Sequence, residues 1–259
     1  MTEVNYLESL NPLQYESVCS TEGPNLIIAG AGTGKTKVLT TRVAHIIDNN
    51  LAFPSQILCV TFTNKAAREM SERVQKLVSQ NMEKMPWMGT FHSIGAKIIR
   101  NHAEVIGLKQ SFTILDKDDQ LSLIKQIIKA ENLDQSQFSP KLIQSKIDHW
   151  KNKALNPNDI KSESLDNLVD EKSLSIYKIY QARLFEINCL DFGDLLLQCI
   201  NLFKVPDIHK RYSNNFKYIH VDEYQDTNAA QYKWLKLLGS HHQNVCCVGD
   251  DDQSIYSWR

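Results

Sequence analysis

The architecture follows from one stretch near the N-terminus, Leu26-Ile27-Ile28-Ala29-Gly30-Ala31-Gly32-Thr33-Gly34-Lys35-Thr36. Its apolar first residues predict a short strand, and the apolar residues from Leu39 to Ile47 repeat at helical spacing. A glycine-rich turn that lies between a strand and a helix and ends in Gly-Lys-Thr is typical of a phosphate-binding loop. Glycines let successive backbone N–H groups point at phosphate oxygens, and the helix N-terminus adds its positive dipole end. The stretch therefore predicts a nucleotide site on an α/β fold.

The loop pattern assigns a role to individual residues. Lys35 is expected to neutralise the β- and γ-phosphates of ATP, and the Thr36 hydroxyl is expected to ligate Mg²⁺. Ala29 stands where the strict pattern has its first glycine. The residues expected to hold the nucleotide are Ala29, Gly30, Ala31, Gly32, Thr33, Gly34, Lys35 and Thr36.

Outward from the loop, three more continuous apolar runs, at 57–62, 218–221 and 245–248, alternate with helical patterns. Continuous apolar strands that alternate with helices predict a parallel sheet with helices on both faces. Residues 90–215 differ, because they read as amphipathic helices separated by polar loops. We therefore expect an α/β domain that is interrupted by a mostly helical insertion.

Polar residues follow two of these strands. Asp222 and Glu223 come directly after the 218–221 run, at the strand end where open α/β sheets bind ligands. Asp222 is a candidate Mg²⁺ ligand and Glu223 a candidate acceptor for the proton of the attacking water, although such a pair alone is more often a solvated turn. Gln253, after the 245–248 run, is a candidate sensor of the γ-phosphate.

Gln14 is a candidate for adenine recognition. It follows a helix start in which Asn11 is the predicted cap and Pro12 the first helical residue. A glutamine amide offers one donor group and one acceptor, which match the edge of adenine. From the residues alone, an ordinary surface glutamine is the stronger interpretation.

Composition narrows the class of protein. The chain has 259 residues, of which 42% are hydrophobic and 23% charged, and a formal net charge of −1. These values exclude disordered, collagen-like and disulfide-scaffold proteins, and they argue against a protein that coats nucleic acid through a large positive surface. No apolar run reaches the length of a membrane span and the N-terminus has no secretory pattern, so the prediction is a cytoplasmic protein with no membrane partner. The six cysteines lack zinc-site spacing, and Cys59, Cys246 and Cys247 are expected in the core.

Several motifs together resemble those of UvrD/Rep/PcrA-type superfamily 1A DNA helicases, in that family's order. They are LNPLQ at 10–14, AGAGTGKT at 29–36, VTFTNKAA at 60–67, GTFHS at 89–93, DEYQDTN at 222–228 and VGDDDQSIYSWR at 248–259. The resemblance implies a RecA-like ATP-binding domain, 1A, over 1–89 and 216–259, with 90–215 as its inserted 1B domain. It also implies that Gln14 reads adenine and that Gln253 couples the γ-phosphate to DNA. Lys37 stands where the family usually has an arginine that packs on adenine, and it lacks the planar face of an arginine.

The same resemblance implies which residues contact single-stranded DNA. Such binding needs aromatic faces for bases and donors for phosphates, and it is possible with few charges. Phe62, Phe91 and Trp258 have a competing interpretation as core aromatics. The implied DNA contacts are Phe62, Thr63, Asn64, Thr90, Phe91, His92, Tyr256, Trp258 and Arg259.

The implied function is the N-terminal motor half of an ATP-dependent 3′-to-5′ DNA helicase in repair or replication. Its partners would be single-stranded DNA, single-strand/double-strand junctions and a second RecA-like domain in cis. Because that second domain supplies arginines to the γ-phosphate and is not part of this sequence, the 259 residues alone are expected not to unwind DNA. The alternatives are the helicase part of a RecB/AddA-like helicase–nuclease and a truncated product that binds ATP or single-stranded DNA without turnover.

Overall fold

The computed structural model describes residues 6–78, 85–161, 167–250 and 252. The strands are β1 Asn25–Ile28, β2 Ile57–Thr61, β3 Met88–Thr90, β4 Thr113–Leu115, β5 Cys189–Asp191, β6 Tyr218–Val221 and β7 Val245–Gly249. The helices are α1 Pro12–Cys19, α2 Lys35–Asp48, α3 Asn64–Leu77, α4 Phe91–Asn101, α5 Lys117–Ala130, α6 Pro140–Asn152, α7 Leu168–Glu186, α8 Asp194–Leu202, α9 Pro206–Asn215 and α10 Ala229–Leu238.

Five of the strands form one parallel sheet in the order β1-β7-β6-β2-β3. In its register Ile27 lies opposite Val248, Val60 opposite Val221, and Thr61 opposite Thr90. All carboxyl ends therefore meet at one edge, which is where such sheets bind ligands. The predicted α/β class with a helix-flanked parallel sheet is confirmed.

The core of this sheet is apolar and contains the predicted cysteines. Leu39 and Val43 of α2 and Met70 of α3 pack with residues of β2 and β7 that are almost fully buried. Cys59, Cys246 and Cys247 are buried, and burial raises the pKa of the Cys247 thiol to about 12. They therefore act as small apolar core residues, as expected.

A buried arginine fixes α1 to α2. The Arg42 guanidinium donates to the Ser17 carbonyl at 2.6 Å and to the Thr21 carbonyl at 3.1 Å, although its side chain is only 1% exposed. These bonds satisfy carbonyls at the C-terminal end of α1, which would otherwise lack partners. The helix that carries Gln14 is thereby held in place beside the helix that carries Lys35.

The chain divides into two compact units. Among the described residues, one unit comprises 6–78, 85–94, 206–227, 235–250 and 252, and contains the five-stranded sheet. The other comprises 95–205 and 228–234. The predicted domain boundaries, 1–89 with 216–259 against 90–215, stay a prediction.

The second unit is mostly helical. Its core is made by Ile124 and Ile128 of α5, Ile147 of α6, and Tyr177 and Tyr180 of α7. It also contains a small parallel pair, β4 with β5, which the sequence pattern did not predict. The helix α7 ends at Glu186, and the next side chain, Ile187, is 52% exposed.

A charged cluster lies inside this second unit. The Lys151 ammonium contacts Asp191 at 2.7 Å and Asp194 at 2.9 Å, and none of the three side chains is more than 3% exposed. Tyr180 also donates to Asp191, at 2.9 Å. A Cβ at Gly193 would lie 2.9 Å from the Lys151 stem, so glycine at this position leaves room for the lysine.

Candidate nucleotide-binding site

The phosphate-binding loop connects β1 to α2 as predicted. Gly34 precedes the helix in the left-handed region with φ 92°, and Gly32 has φ 73°. Other residues rarely adopt this backbone conformation, so glycine is required at both positions. The Thr33 hydroxyl donates to the Gly30 carbonyl at 2.7 Å and closes the turn.

Lys35 lies at the mouth of the loop and already has two partners. Its ammonium donates to the Ala29 carbonyl at 2.9 Å and pairs with Asp250 at 3.0 Å, with side-chain exposures of 10% and 5% for the two ionic groups. Asp250 directly follows β7, the neighbour of β1, although it is 215 residues away in sequence. The sequence did not reveal this partner, because only the sheet order brings the two strand ends together.

Gln14 and Lys37 lie against the same loop. The Gln14 amide donates to the Thr33 carbonyl at 2.9 Å and accepts from the Asn11 N–H at 3.1 Å. It therefore connects the phosphate-binding loop to the N-terminal cap of α1. A Cβ at Gly34 would lie 3.1 Å from its nitrogen. The Lys37 ammonium donates to the Ser9 carbonyl at 2.6 Å. Adenine recognition by Gln14 stays a prediction, now for a side chain that the structure places at the loop.

Asp222 is the carboxylate best suited to hold a cation. It follows β6, and its backbone N–H donates to the Val60 carbonyl at 3.0 Å, which places it beside the end of β2. Burial, followed by the charge of Glu223, raises the pKa of the Asp222 carboxyl to about 6. Its Oδ1 is buried and has no hydrogen-bond partner among the described residues. Buried carboxylates normally have partners, so this oxygen fits the oxygen-ligand chemistry of Mg²⁺.

Glu223 joins a chain of contacts across two strand ends. Its backbone is left-handed with φ 53°, and its carboxylate accepts from the Gln225 amide at 2.7 Å. The Gln225 oxygen in turn accepts from the Asp250 N–H at 3.0 Å. A Cβ at Gly249 would approach that oxygen to 2.9 Å, so glycine permits the contact. The acidic pair after β6 is thereby connected to the partner of Lys35 after β7.

The segment after β2 leaves the apolar strand at Phe62. The Phe62 ring is half-buried and lies 5.5 Å from the Phe91 ring. Thr63 caps α3, since its hydroxyl accepts from the Ala66 N–H at 3.1 Å, and both Thr63 and Asn64 are exposed. Phe62, Thr63 and Asn64 are accessible to a ligand at the carboxyl edge of the sheet.

The segment after β3 is more enclosed. Thr90 and Ser93 exchange hydrogen bonds, with the Thr90 N–H donating to the Ser93 hydroxyl at 2.9 Å and the Ser93 N–H to the Thr90 hydroxyl at 3.1 Å. Phe91 is 1% exposed, so in this structure its ring offers no free face to a base and instead supports Phe62. Burial lowers the pKa of His92.

Some predicted site residues lie outside the described residues. They are Gln253, Tyr256, Trp258 and Arg259. Within the ranges that the structure describes, no helix is long and apolar enough to cross a membrane. The same ranges contain no group of three or more His, Cys, Asp or Glu side chains arranged to bind a metal ion.

A glycine-rich loop before α2, a lysine at the helix start and an acidic pair after another strand of the same parallel sheet define the chain as a P-loop nucleotide-binding protein. The UvrD/REP helicase N-terminal domain matches residues 10–259, and the chain belongs to this family.

Similar proteins carry helicase names. The chain is 49% identical to DNA helicase II of Rickettsia typhi, over 100% of this chain and 40% of that protein. It is also 49% identical to the ATP-dependent DNA helicase PcrA of Staphylococcus aureus, over 98% of this chain and 34% of that protein. A probable DNA helicase II homolog of Rickettsia felis is 48% identical, over 98% of this chain and 39% of that protein. The chain thus spans little more than a third of the length of these relatives.

Proposed function

We propose that this chain is the N-terminal motor part of an ATP-dependent DNA helicase that moves 3′ to 5′ on single-stranded DNA. Family membership supports the class of activity. The observation that carries the proposal is that Lys35, Asp222 and Phe62 all lie at the carboxyl edge of one parallel sheet. The proposed setting is cytoplasmic DNA repair or replication, with single-strand/double-strand junctions as the substrate.

ATP binding follows from the loop. Backbone N–H groups of residues 30–34 and the N-terminus of α2 receive the phosphates, while Lys35 exchanges Asp250 for a phosphate oxygen. The Thr36 hydroxyl and the unpartnered Oδ1 of Asp222 would hold Mg²⁺, which supplies charge neutralisation at the phosphates when bound. Gln14 and Lys37 would contact the adenine end, since both side chains lie beside the loop.

Glu223 is the residue proposed to activate water for ATP hydrolysis. The order of the strands in the sheet explains how hydrolysis would be coupled to DNA binding. The Glu223 carboxylate would accept the proton of the attacking water, with Gln225 holding it in place. Because β6 and β2 are neighbours, the acidic pair and the segment Phe62–Asn64 follow adjacent strands. Loss of the γ-phosphate at the acidic pair would therefore be transmitted to a DNA-contacting segment that follows the adjacent strand. Gln253 is proposed as a second coupling residue, and Tyr256, Trp258 and Arg259 as further DNA contacts.

A second RecA-like domain in cis completes the proposal. The relatives are between two and three times as long as this chain, and their remaining length would contain that domain. It would close the ATP cleft and supply an arginine, a group worth roughly 10³–10⁵ in turnover in related phosphoryl-transfer enzymes.

The test compares Lys35→Ala with Lys76→Ala, which removes the same charge from an exposed position on α3. Binding of a fluorescent ATP analogue and ATP hydrolysis are measured with and without a 20-nucleotide oligo-dT strand. We expect Lys35→Ala to lose at least tenfold in nucleotide affinity and all DNA-stimulated hydrolysis, while Lys76→Ala keeps both. Equal nucleotide binding by the two variants would refute the assignment.

A further inference from the structure

A cleft with a volume of about 500 Å³ opens in the second compact unit. It lies between α7, α8 and the turn at 156–159. We call it the carboxamide cleft, because five of its lining side chains are amides: Asn156, Asn158, Gln181, Gln198 and Asn201. Its volume is within the range of small-ligand sites. The proposed motor function assigns it no role.

Hydrogen bonds fix most of these amides. Asn156 and Asn201 donate to each other's oxygens, at 3.1 and 2.8 Å, and Asn201 also donates to Gln198 at 3.0 Å. Asp159 accepts from the Asn156 side chain at 2.7 Å and from its backbone at 2.9 Å. These bonds use both amide hydrogens of Asn156 and both of Asn201, so the linked amides present oriented oxygen acceptors to a ligand. Because these side chains are already fixed, the entropic cost of binding is lower than for freely rotating surface side chains.

Gln181 is left with an unused acceptor. Its nitrogen donates to Asp194 at 3.1 Å, and Asp194 is itself fixed by Lys151. Its Oε1 is buried and has no hydrogen-bond partner in the part of the chain that the structure describes. A desolvated carbonyl oxygen without a donor is unfavourable, so a donor group of a bound ligand that reached it would be stabilised.

The remaining lining adds charge and an aromatic ring. Lys178 and Lys204 are exposed cations, and the half-buried Phe185 is the aromatic residue of the lining. Asp159 is the carboxylate among the lining residues, and it already accepts two hydrogen bonds from Asn156. A ligand with an anionic group, a ring that can stack and an edge of donors and acceptors matches all of these features.

We propose that the carboxamide cleft binds a single nucleotide. The exposed Asn158 amide and the oxygens of the linked amides would pair with the edge of the base, Phe185 would contact its face, and Lys178 and Lys204 would contact the phosphate. The nucleotide would come from an unpaired position of a DNA strand or from a free nucleoside monophosphate, since both offer the same chemistry. The inference rests on the proposed function, to which it adds a nucleic-acid contact outside the sheet edge.

The experiment measures binding of the 259-residue chain to fluorescein-labelled oligo-dT of 20 nucleotides and to an abasic strand of equal length. Phe185→Ala should weaken oligo-dT binding by about fivefold, the low end of the stacking contribution of one base, and leave abasic binding unchanged. Lys178→Ala/Lys204→Ala should weaken both. The matched control, Lys129→Ala/Lys172→Ala, removes two exposed lysines of the same unit that do not line the cleft and should resemble wild type.

A second measurement tests binding of the free nucleotide. It uses the wild-type chain, so it does not depend on whether a variant folds. Thymidine monophosphate should shift the side-chain amide resonances of Asn158 and Asn201 in the ¹⁵N-labelled wild-type chain, and the exposed Asn158→Ala change should weaken this binding. Shifts without any effect of the variants on oligo-dT would identify the free nucleotide as the ligand. Unshifted resonances together with unchanged oligo-dT binding in the cleft variants would overturn the proposal. Loss of oligo-dT binding in wild type, with the shifts retained, would count against the motor function alone.

Discussion

The ammonium of Lys35 is shared between a loop carbonyl and the carboxylate of Asp250. A phosphate must compete with that carboxylate for the same charge, and charge-assisted hydrogen bonds in partly buried surroundings are worth roughly 1.5–3 kcal/mol. The pair is therefore expected to lower the affinity of the loop for nucleotide.

Asp250→Asn is expected to raise affinity for ATP by roughly tenfold, because it removes the negative charge that competes with the phosphate for Lys35 and leaves only a neutral acceptor. Isothermal titration calorimetry measures this directly. Asp252→Asn is the matched control, since Asp252 is exposed and makes no contact with Lys35 among the described residues. Unchanged or weaker binding by a folded Asp250→Asn chain would contradict the competition.

His220 of β6 is a second residue with an unusual environment. It is 1% exposed, and neither ring nitrogen has a hydrogen-bond partner within the described part of the chain. Burial, followed by the charge of Arg42, lowers the pKa of His220 from 6.5 to about 3. Between these values the unfolded chain binds a proton that the folded chain does not bind, so the free energy of unfolding falls as pH falls.

His220→Leu should remove this dependence. Between pH 7 and pH 5 the wild-type chain should lose about 2 kcal/mol more unfolding free energy than the variant, from the linkage of one proton. Urea denaturation of both chains at pH 7 and pH 5 gives the loss of unfolding free energy for each chain. Titrating groups that the two chains share contribute equally to both losses and cancel in the comparison. Identical losses would mean that His220 is accessible to protons in the folded chain.

At the level of single residues, local patterns found the phosphate loop but not its partners. Lys35, Thr36 and the Asp222–Glu223 pair stand in contiguous motifs whose chemistry is readable along the chain. The partner of Lys35 lies 215 residues away, and nothing near Asp250 in sequence distinguishes it from a turn aspartate. For Phe91 the sequence left two interpretations open, because GTFHS reads the same whether its aromatic ring faces solvent or the core, and the structure buries the ring.

The packing of α6 against β5 and α8 depends on a buried charge. Lys151 lies on α6, while Asp191 ends β5 and Asp194 begins α8. Removing one member of a buried ion cluster leaves the others uncompensated, which costs more than the cluster itself contributes.

Lys151→Met should therefore destabilise the second unit by about 3–5 kcal/mol. Lys153→Met, at the exposed end of the same helix, is the control and should be nearly neutral. Thermal denaturation followed by circular dichroism compares the two chains. Equal melting temperatures for both variants and wild type would show that the cluster is not required for packing.

Among the elements, the long apolar strands were predictable and the short strands were not. β2, β6 and β7 are buried along almost their whole length and read as continuous apolar runs. β3 has three residues, one of them Gly89, so it gives no such run. β4 and β5 are equally short and pair across 76 positions of mainly helical sequence, which hides them from any local periodicity.

For the whole molecule, we expect the 259 residues expressed alone to bind ATP and single-stranded DNA but not to unwind a duplex. They span 34–40% of the length of the relatives, and the helicase names belong to those full-length proteins. A strand-displacement assay on a duplex with a 3′ single-stranded tail tests this. ATP-dependent unwinding by the isolated chain would show that one RecA-like domain is enough.

The position of β1 at the sheet edge also bears on synthesis. In the described sheet β1 pairs with β7, so the strand that anchors the phosphate loop acquires its neighbour only after residue 249 has been made. Pairing across such a separation carries a large loop-closure entropy and is slow, whereas the helical unit between them consists mainly of local contacts. On the ribosome, the helical unit is therefore expected to fold before the five-stranded sheet, so the phosphate loop gains its neighbouring strand only after that unit has formed.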